Sequence, residues 1–151
     1  MKKNEFFLLL ASLFVFTLFN TSCGGNSQKS EGSNSINNEK ITITHLLGSI
    51  NVNKNPQRVV VLDFSALENL DFIGIKPVAV PKSGLPANLI KYKEDISVMD
   101  VGSITEINIE KINEAQPDLI IIGHRLVDFY DQLSAIAPVL YPTPVDAVNF
   151  M

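Results

Sequence analysis

Two stretches of the chain are apolar without interruption. Residues 119–122 (LIII) lie between Pro117 and Gly123, and residues 59–62 (VVVL) follow Asn55-Pro56-Gln57-Arg58. A strand without polar alternation is buried on both faces between helices, which is the pattern of a parallel sheet. Residues 119–122 are expected at the middle of that sheet. Ahead of them, Ile109, Ile112 and Ala115 recur at helical spacing behind Asn108, a favourable N-cap. Behind them, Leu126, Phe129, Tyr130, Leu133, Ile136 and Ala137 form the apolar stripe of one helix, which Pro138 ends before a short strand at 139–141. After residues 59–62, Ser65-Ala66-Leu67-Glu68 has the pattern of a capping box. Leu67, Leu70 and Ile73 then carry a helical stripe to Gly74, a natural stop before a strand at 77–80. Residues 41–44 and 50–52 alternate around Gly48-Ser49 as a small antiparallel hairpin. One or two helical turns are expected at 89–94, and a short strand at 96–99. The fold class is therefore α/β: a Rossmann-like lobe whose central, mainly parallel sheet is flanked by helices and preceded by a small β-hairpin.

A chain of 151 residues with 46% apolar content can bury one ordinary core, so one globular domain is expected. The net charge of −4 and the lack of a basic cluster speak against nucleic acid as a partner. Neither GxxxxGK[ST] nor GxGxxG occurs, and there is no GxSxG nucleophile elbow. With two histidines far apart and a single cysteine, neither a hydrolytic triad nor a histidine-rich metal cage is expected. The residues offer binding chemistry, with no cofactor and no resident metal.

The amino-terminal stretch adds a compartment. Lys2 and Lys3 precede an apolar run over residues 6–19, the length of a signal h-region and too short for a comfortable membrane span. Thr21 and Ser22 stand before Cys23, and two glycines come after it. This resembles a bacterial lipoprotein signal, in which Cys23 becomes lipidated after the leader is removed. Phe19 and Asn20 stand where that pattern usually has a leucine. An ordinary signal peptide with an incidental cysteine is the other reading, and both imply export. Each buried methylene of an acyl chain would contribute roughly 0.8 kcal/mol to anchoring. The organisation expected is a leader over 1–22, a lipidated Gly-, Ser- and Asn-rich flexible linker over 23–40, and a folded part over 41–151.

Candidate binding residues fall where strands end, because ligands of open α/β sheets bind outside the strands' carboxyl ends. Gly123-His124-Arg125 comes directly after the apolar strand 119–122. A cation at a helix N-terminus opposes the macrodipole, so helix stability does not explain Arg125. It is either an anion-binding group or a solvated surface cation. Pro81-Lys82-Ser83-Gly84-Leu85-Pro86 comes after the strand at 77–80 and is either a ligand-facing loop, with Lys82 as its charge, or a plain connection. His45 in the hairpin is expected as a solvated histidine, not a ligand. Glu110 complements a helix dipole in the first turn of its helix.

Taken together, NPQRVVVLDFSALENLDFIGIKPVAVP, VGSITEINIEKINEAQPDLIIIGHR and FYDQLSAIAPVLY resemble the N-terminal lobe of the substrate-binding proteins that serve ABC importers of iron siderophores, and most closely the ferric-catecholate binders. The resemblance covers essentially all of residues 41–151. It implies half of a bilobed periplasmic-binding-protein fold, in which one long helix joins two similar lobes and the ligand is gripped between them. Residues 149–151 resemble the approach to that helix, so the C-terminal lobe is expected to be absent. By resemblance, Arg125 helps to neutralise an anionic iron(III) chelate, with His124, Lys82 and Ser83 in the same ligand-facing loops. Glu110 docks with the permease subunits in the cytoplasmic membrane, and Cys23 carries the lipid. The iron enters only as part of the siderophore. The same fold with haem or a corrinoid as cargo, a truncated remnant without cargo, and a small exported transferase or hydrolase are the alternatives.

Overall fold

The computed structural model describes residues 39–142. The leader, Cys23, most of the linker and residues 149–151 lie outside the described residues. The hairpin is present, with β1 (Lys40–His45) antiparallel to β2 (Gly48–Asn53) in a register from Lys40–Asn53 to His45–Gly48. Alternation explains its two faces. Ile43, Ile50 and Val52 turn toward the core, while Thr42 pairs with Asn51 and Thr44 with Ser49 on the exposed side. His45 is not simply solvated. Its Nδ1 accepts the Leu47 amide at 3.2 Å and its ring stands edge-on to Tyr130, with centroids 5.8 Å apart, so packing holds it.

Five parallel strands make up the main sheet: β3 (Val59–Val61), β4 (Ala79–Val80), β5 (Met99–Asp100), β6 (Leu119–Ile121) and β7 (Val139–Leu140), in the order β5-β4-β3-β6-β7. The centre is β3, and the expected central strand, β6, is its neighbour. Both apolar runs are explained by a sheet covered on both sides. Val60, Leu62, Ile120 and Ile122 enter one core cluster, with Ile112, Leu126 and Leu133. Val59, Val61, Leu119 and Ile121 enter the other, with Ala66, Leu67, Leu89 and Tyr92. Burying each such aliphatic side chain stabilises the fold by roughly 1.5–3 kcal/mol before entropy is counted.

Helix α1 (Phe64–Phe72) starts one residue after Asp63, whose Oδ1 accepts the Ala66 amide at 2.9 Å. The expected capping box at Ser65 is therefore corrected. The chain leaves β3 extended through Asp63, and an aspartate there caps as well as a serine. Glu68 instead accepts from Asn88. Ile73, expected on the buried stripe, is exposed as the C-cap residue. A 3₁₀ turn, Ala87–Leu89, leads into α2 (Lys91–Glu94). Helix α3 (Ile109–Glu114) has Asn108 as its N-cap, as expected, accepting the Lys111 amide at 2.8 Å. The stripe after β6 divides into a 3₁₀ segment, His124–Phe129, and α4 (Tyr130–Ser134), with non-helical geometry at Leu126. Spacing alone does not separate these forms, since both send Leu126 and Leu133 into the core.

The amino edge of the sheet is tied by polar groups. The Asp118 carboxylate accepts the Gln57 and Arg58 amides, and Arg58 donates to the Ala115 and Gln116 carbonyls beyond α3. Alongside, Asp71 accepts from Lys91 and from the Tyr92 hydroxyl, and Asp95 accepts from Lys76 and Ser97. These bonds hold both carboxyls below the ordinary value of 3.8: for Asp71 chiefly Lys91 and then Tyr92, for Asp95 chiefly Lys76 and then Ser97. Burial, and then the bond to Asp71, push Tyr92 up to about 12.

Because both carboxyls titrate lower folded than unfolded, their contribution is complete above pH 3.8 and is lost as pH falls through that value toward the folded pKa values. Urea midpoints should be flat from pH 7 to 5 and fall below about pH 4. Asp95→Asn should flatten that fall, and an identical acid limb in this variant would contradict the assignment.

Candidate ligand crevice at the carboxyl edge

Strands β4 and β5 lie to one side of β3, and β6 and β7 to the other. The connections therefore diverge at β3 and β6, and a crevice opens outside the carboxyl ends of such strands. A cavity of about 520 Å³ lies there. Asp63, Ser65 and Asn69 come to it from the start of α1, Gly123 and His124 from the end of β6, and Tyr141 from the end of β7. Ala66, Leu70, Ile121 and Leu140 supply its apolar surface. Gly123 is required by close approach, since a Cβ there would overlap the Asp63 carboxylate. The two loops are thus packed to contact at the point where the chain directions part.

His124 lines this cavity, with its Nδ1 3.5 Å from the Tyr141 hydroxyl. Arg125 is exposed next to it and has no ion-pair or side-chain hydrogen-bond partner among the described residues. It sits in the 3₁₀ segment, so the expectation that it opposes an α-helix dipole is corrected. The arginine's availability rests on its lack of partners.

The loop after β4 leaves the same edge of the sheet. Lys82 donates its amide to Asp100, and its ammonium donates to the carbonyls of Asp95 (2.8 Å) and Lys93 (3.4 Å), at the end of α2. Its charge is therefore occupied within the lobe. Burial raises the pKa of Asp100, but the Gly102 and Lys82 amides and the charges of Lys111 and Lys82 outweigh it and bring the carboxyl below the ordinary range. Ser83 donates its amide to Gly102 and lines a second depression of about 410 Å³ together with Glu106 and Glu110. Gly102 has φ of 102°, and a Cβ there would meet the Glu106 carbonyl oxygen at 2.5 Å, so this turn also needs glycine.

The structure thus groups the expected residues differently from the sequence. His124 belongs to the crevice and Arg125 flanks it. Ser83 and Glu110, assigned to different surfaces, share one depression. Asp63, Ser65, Asn69 and Tyr141 are not among the binding residues read from sequence. Asp63 comes after β3 as Arg125 comes after β6, and the same strand-end reasoning would have found it had Ser65 not been read as the cap. Among the described residues no group of three His, Cys, Asp or Glu is placed to hold a metal ion.

Residues 59–148 match the periplasmic binding protein family, more than half of the chain. The chain belongs to the periplasmic binding protein family. The match begins at β3 and takes in all five parallel strands, so the sheet that carries the crevice is the part shared with the family. The petrobactin-binding protein YclQ of Bacillus subtilis (strain 168) is 40% identical over 149 residues, 96% of this chain and 46% of YclQ. The probable siderophore-binding lipoprotein YfiY of the same organism is 39% identical, covering 93% of this chain and 44% of YfiY. The crystal structure of the periplasmic catecholate-siderophore binding protein VctP from Vibrio cholerae superposes with a TM-score of 0.63 at 47% identity, over 68% of this chain and 37% of VctP. The chain spans about half the length of the curated relatives it matches.

Proposed function

We propose that this chain is the N-terminal lobe of the substrate-binding component of an ABC importer, which captures an anionic iron(III) siderophore, of catecholate type, outside the cytoplasmic membrane and delivers it to the permease. What supports this reading is Arg125, exposed and unpaired among the described residues, directly after His124, which lines the crevice, on a sheet shared with relatives named for siderophores. Three deprotonated catecholates around iron(III) form a trianion with aromatic faces. A guanidinium can donate to its oxygens and stack on its rings. The Asp63 carboxylate also lines the crevice and accepts the Ala66 amide, so the positive charge that an anion needs has to come from Arg125. Ser83 contributes from the neighbouring loop. Lys82 would have to leave two carbonyls to reach the ligand, so it is the weaker contributor. The mechanism is binding without chemistry on the ligand, and the iron travels inside its chelate.

Two further roles belong to the same reading. Glu110, exposed in the first turn of α3, presents a carboxylate to basic groups of the permease. Cys23, lipidated after export, holds the protein at the membrane, as the name of YfiY implies for that relative.

In fluorescence-quenching titrations of the complete protein with a ferric tricatecholate, Arg125→Ala should weaken binding by about 1–3 kcal/mol, the scale of a hydrogen bond to a charged group. Unchanged affinity would remove Arg125 from the site. Glu110→Lys should leave that affinity alone and impair cellular uptake of the iron complex. Normal uptake would return Glu110 to stabilising its helix.

A further inference from the structure

The end of the lobe opposite the crevice exposes large apolar side chains beside its ion pairs. Phe72 is 91% exposed, Ile73 63% and Ile96 100%, where most large aliphatic residues of the described chain are buried. All three lie at the amino edge of the sheet: Phe72 and Ile73 where α1 ends ahead of β4, and Ile96 just ahead of β5. The salt bridge from Lys76 to Asp95 ties the two segments together. Exposed apolar groups clustered in this way mark an interaction surface.

We infer that this tip seats on the lipid bilayer that anchors the protein, its apolar side chains entering the interface. The path of the chain selects this occupant. The polypeptide enters β1 at Lys40, where Glu39 and Lys54 are joined by backbone and ion-pair contacts, four residues before Arg58 at the amino edge. It leaves β7 at the carboxyl edge, where the crevice opens, at the end opposite the tip. Cys23 stands 17 positions ahead of Lys40 in the sequence, so a lipid there would tie the chain to the bilayer through its amino-edge entry. Of the nearby charges, Lys76 pairs with Asp95, Lys91 with Asp71 and Lys54 with Glu39, while the exposed Lys93 and Glu94 are of opposite sign and cancel in net charge. Seating is therefore apolar and insensitive to the lipid's charge. It also directs the crevice away from the anchoring surface until the lobe rotates.

The inference rests on the anchored reading of Cys23, and its test separates the two. The complete protein from Cys23 onward is coupled through that thiol to a maleimide lipid in phosphatidylcholine vesicles, which supplies the tether whether or not cells acylate the cysteine. Ile96→Trp introduces a probe at the tip, read as the difference from the parent protein. Brominated phosphatidylcholine should quench the added fluorescence at position 96 by about half, equally with and without anionic phosphatidylglycerol, and should leave Asp128→Trp unquenched. Adding Phe72→Ser and Ile73→Ser should abolish the quenching, since each removes an apolar side chain from the interface. No quenching at position 96 in tethered protein would overturn the inference, as would quenching that needs anionic lipid or a tip occupied by a second copy of the chain in sedimentation. Mass spectrometry of Cys23 from cell membranes tests acylation by itself.

Discussion

The lobe depends on the pairing of β3 with β6. The three paired positions, Val59–Leu119, Val60–Ile120 and Val61–Ile121, send alternate side chains to opposite faces, so this one ladder contributes to both core clusters. Where the two strands end, the chain turns away from itself, and the Asp63 carboxylate packs against Gly123 with no space for another carbon. That contact fixes the position of α1, which holds Ser65 and Asn69, relative to the 3₁₀ segment that holds His124 and Arg125. A side chain at position 123 would displace Asp63, loosen the cap of α1 and shift the crevice wall at once. Stability and the geometry of the crevice are therefore coupled through one glycine.

The same arrangement sorts charges by whether they are already engaged. At the amino edge and around β5, lysines, aspartates and carbonyls satisfy one another, and Lys82 is drawn into that set by the carbonyls ending α2. Arg125, next to His124 in the chain, is exposed without a partner among the described residues. An unengaged guanidinium can bind an anion without breaking a bond inside the lobe, whereas Lys82 cannot. Electrostatic complementarity of this kind favours encounter and selection of an anionic partner more than raw affinity. On the two proposals above, ligand would sit at one edge of the lobe and membrane at the other.

Much of this was legible in the sequence because burial on both faces leaves an unmistakable run. The strands at Val59–Val61 and Leu119–Ile121, the Asn108 cap and the hairpin all arise from local pattern. What local pattern could not supply was competition between equivalent residues and contacts between distant ones. Asp63 and Ser65 are both good caps, and the end of β3 decided between them. The stripe from Leu126 to Ala137 fits one helix, yet the chain divides it at a 3₁₀ segment. Lys82 looked as available as Arg125, and only the fold shows that its ammonium reaches back to Asp95. Ile73 fits the helical stripe, but α1 ends there and leaves it outside.

The central claim is that an anionic iron chelate is held at the carboxyl edge, where β3 and β6 part. Amide hydrogen exchange of the complete protein, with and without a ferric tricatecholate, tests it most directly. Slowed exchange is expected at residues 63–66 and 123–126, with the amino edge around 72–76 and 95–97 unchanged. Protection confined to the amino edge, or spread over the lobe without a focus at those two loops, would contradict it.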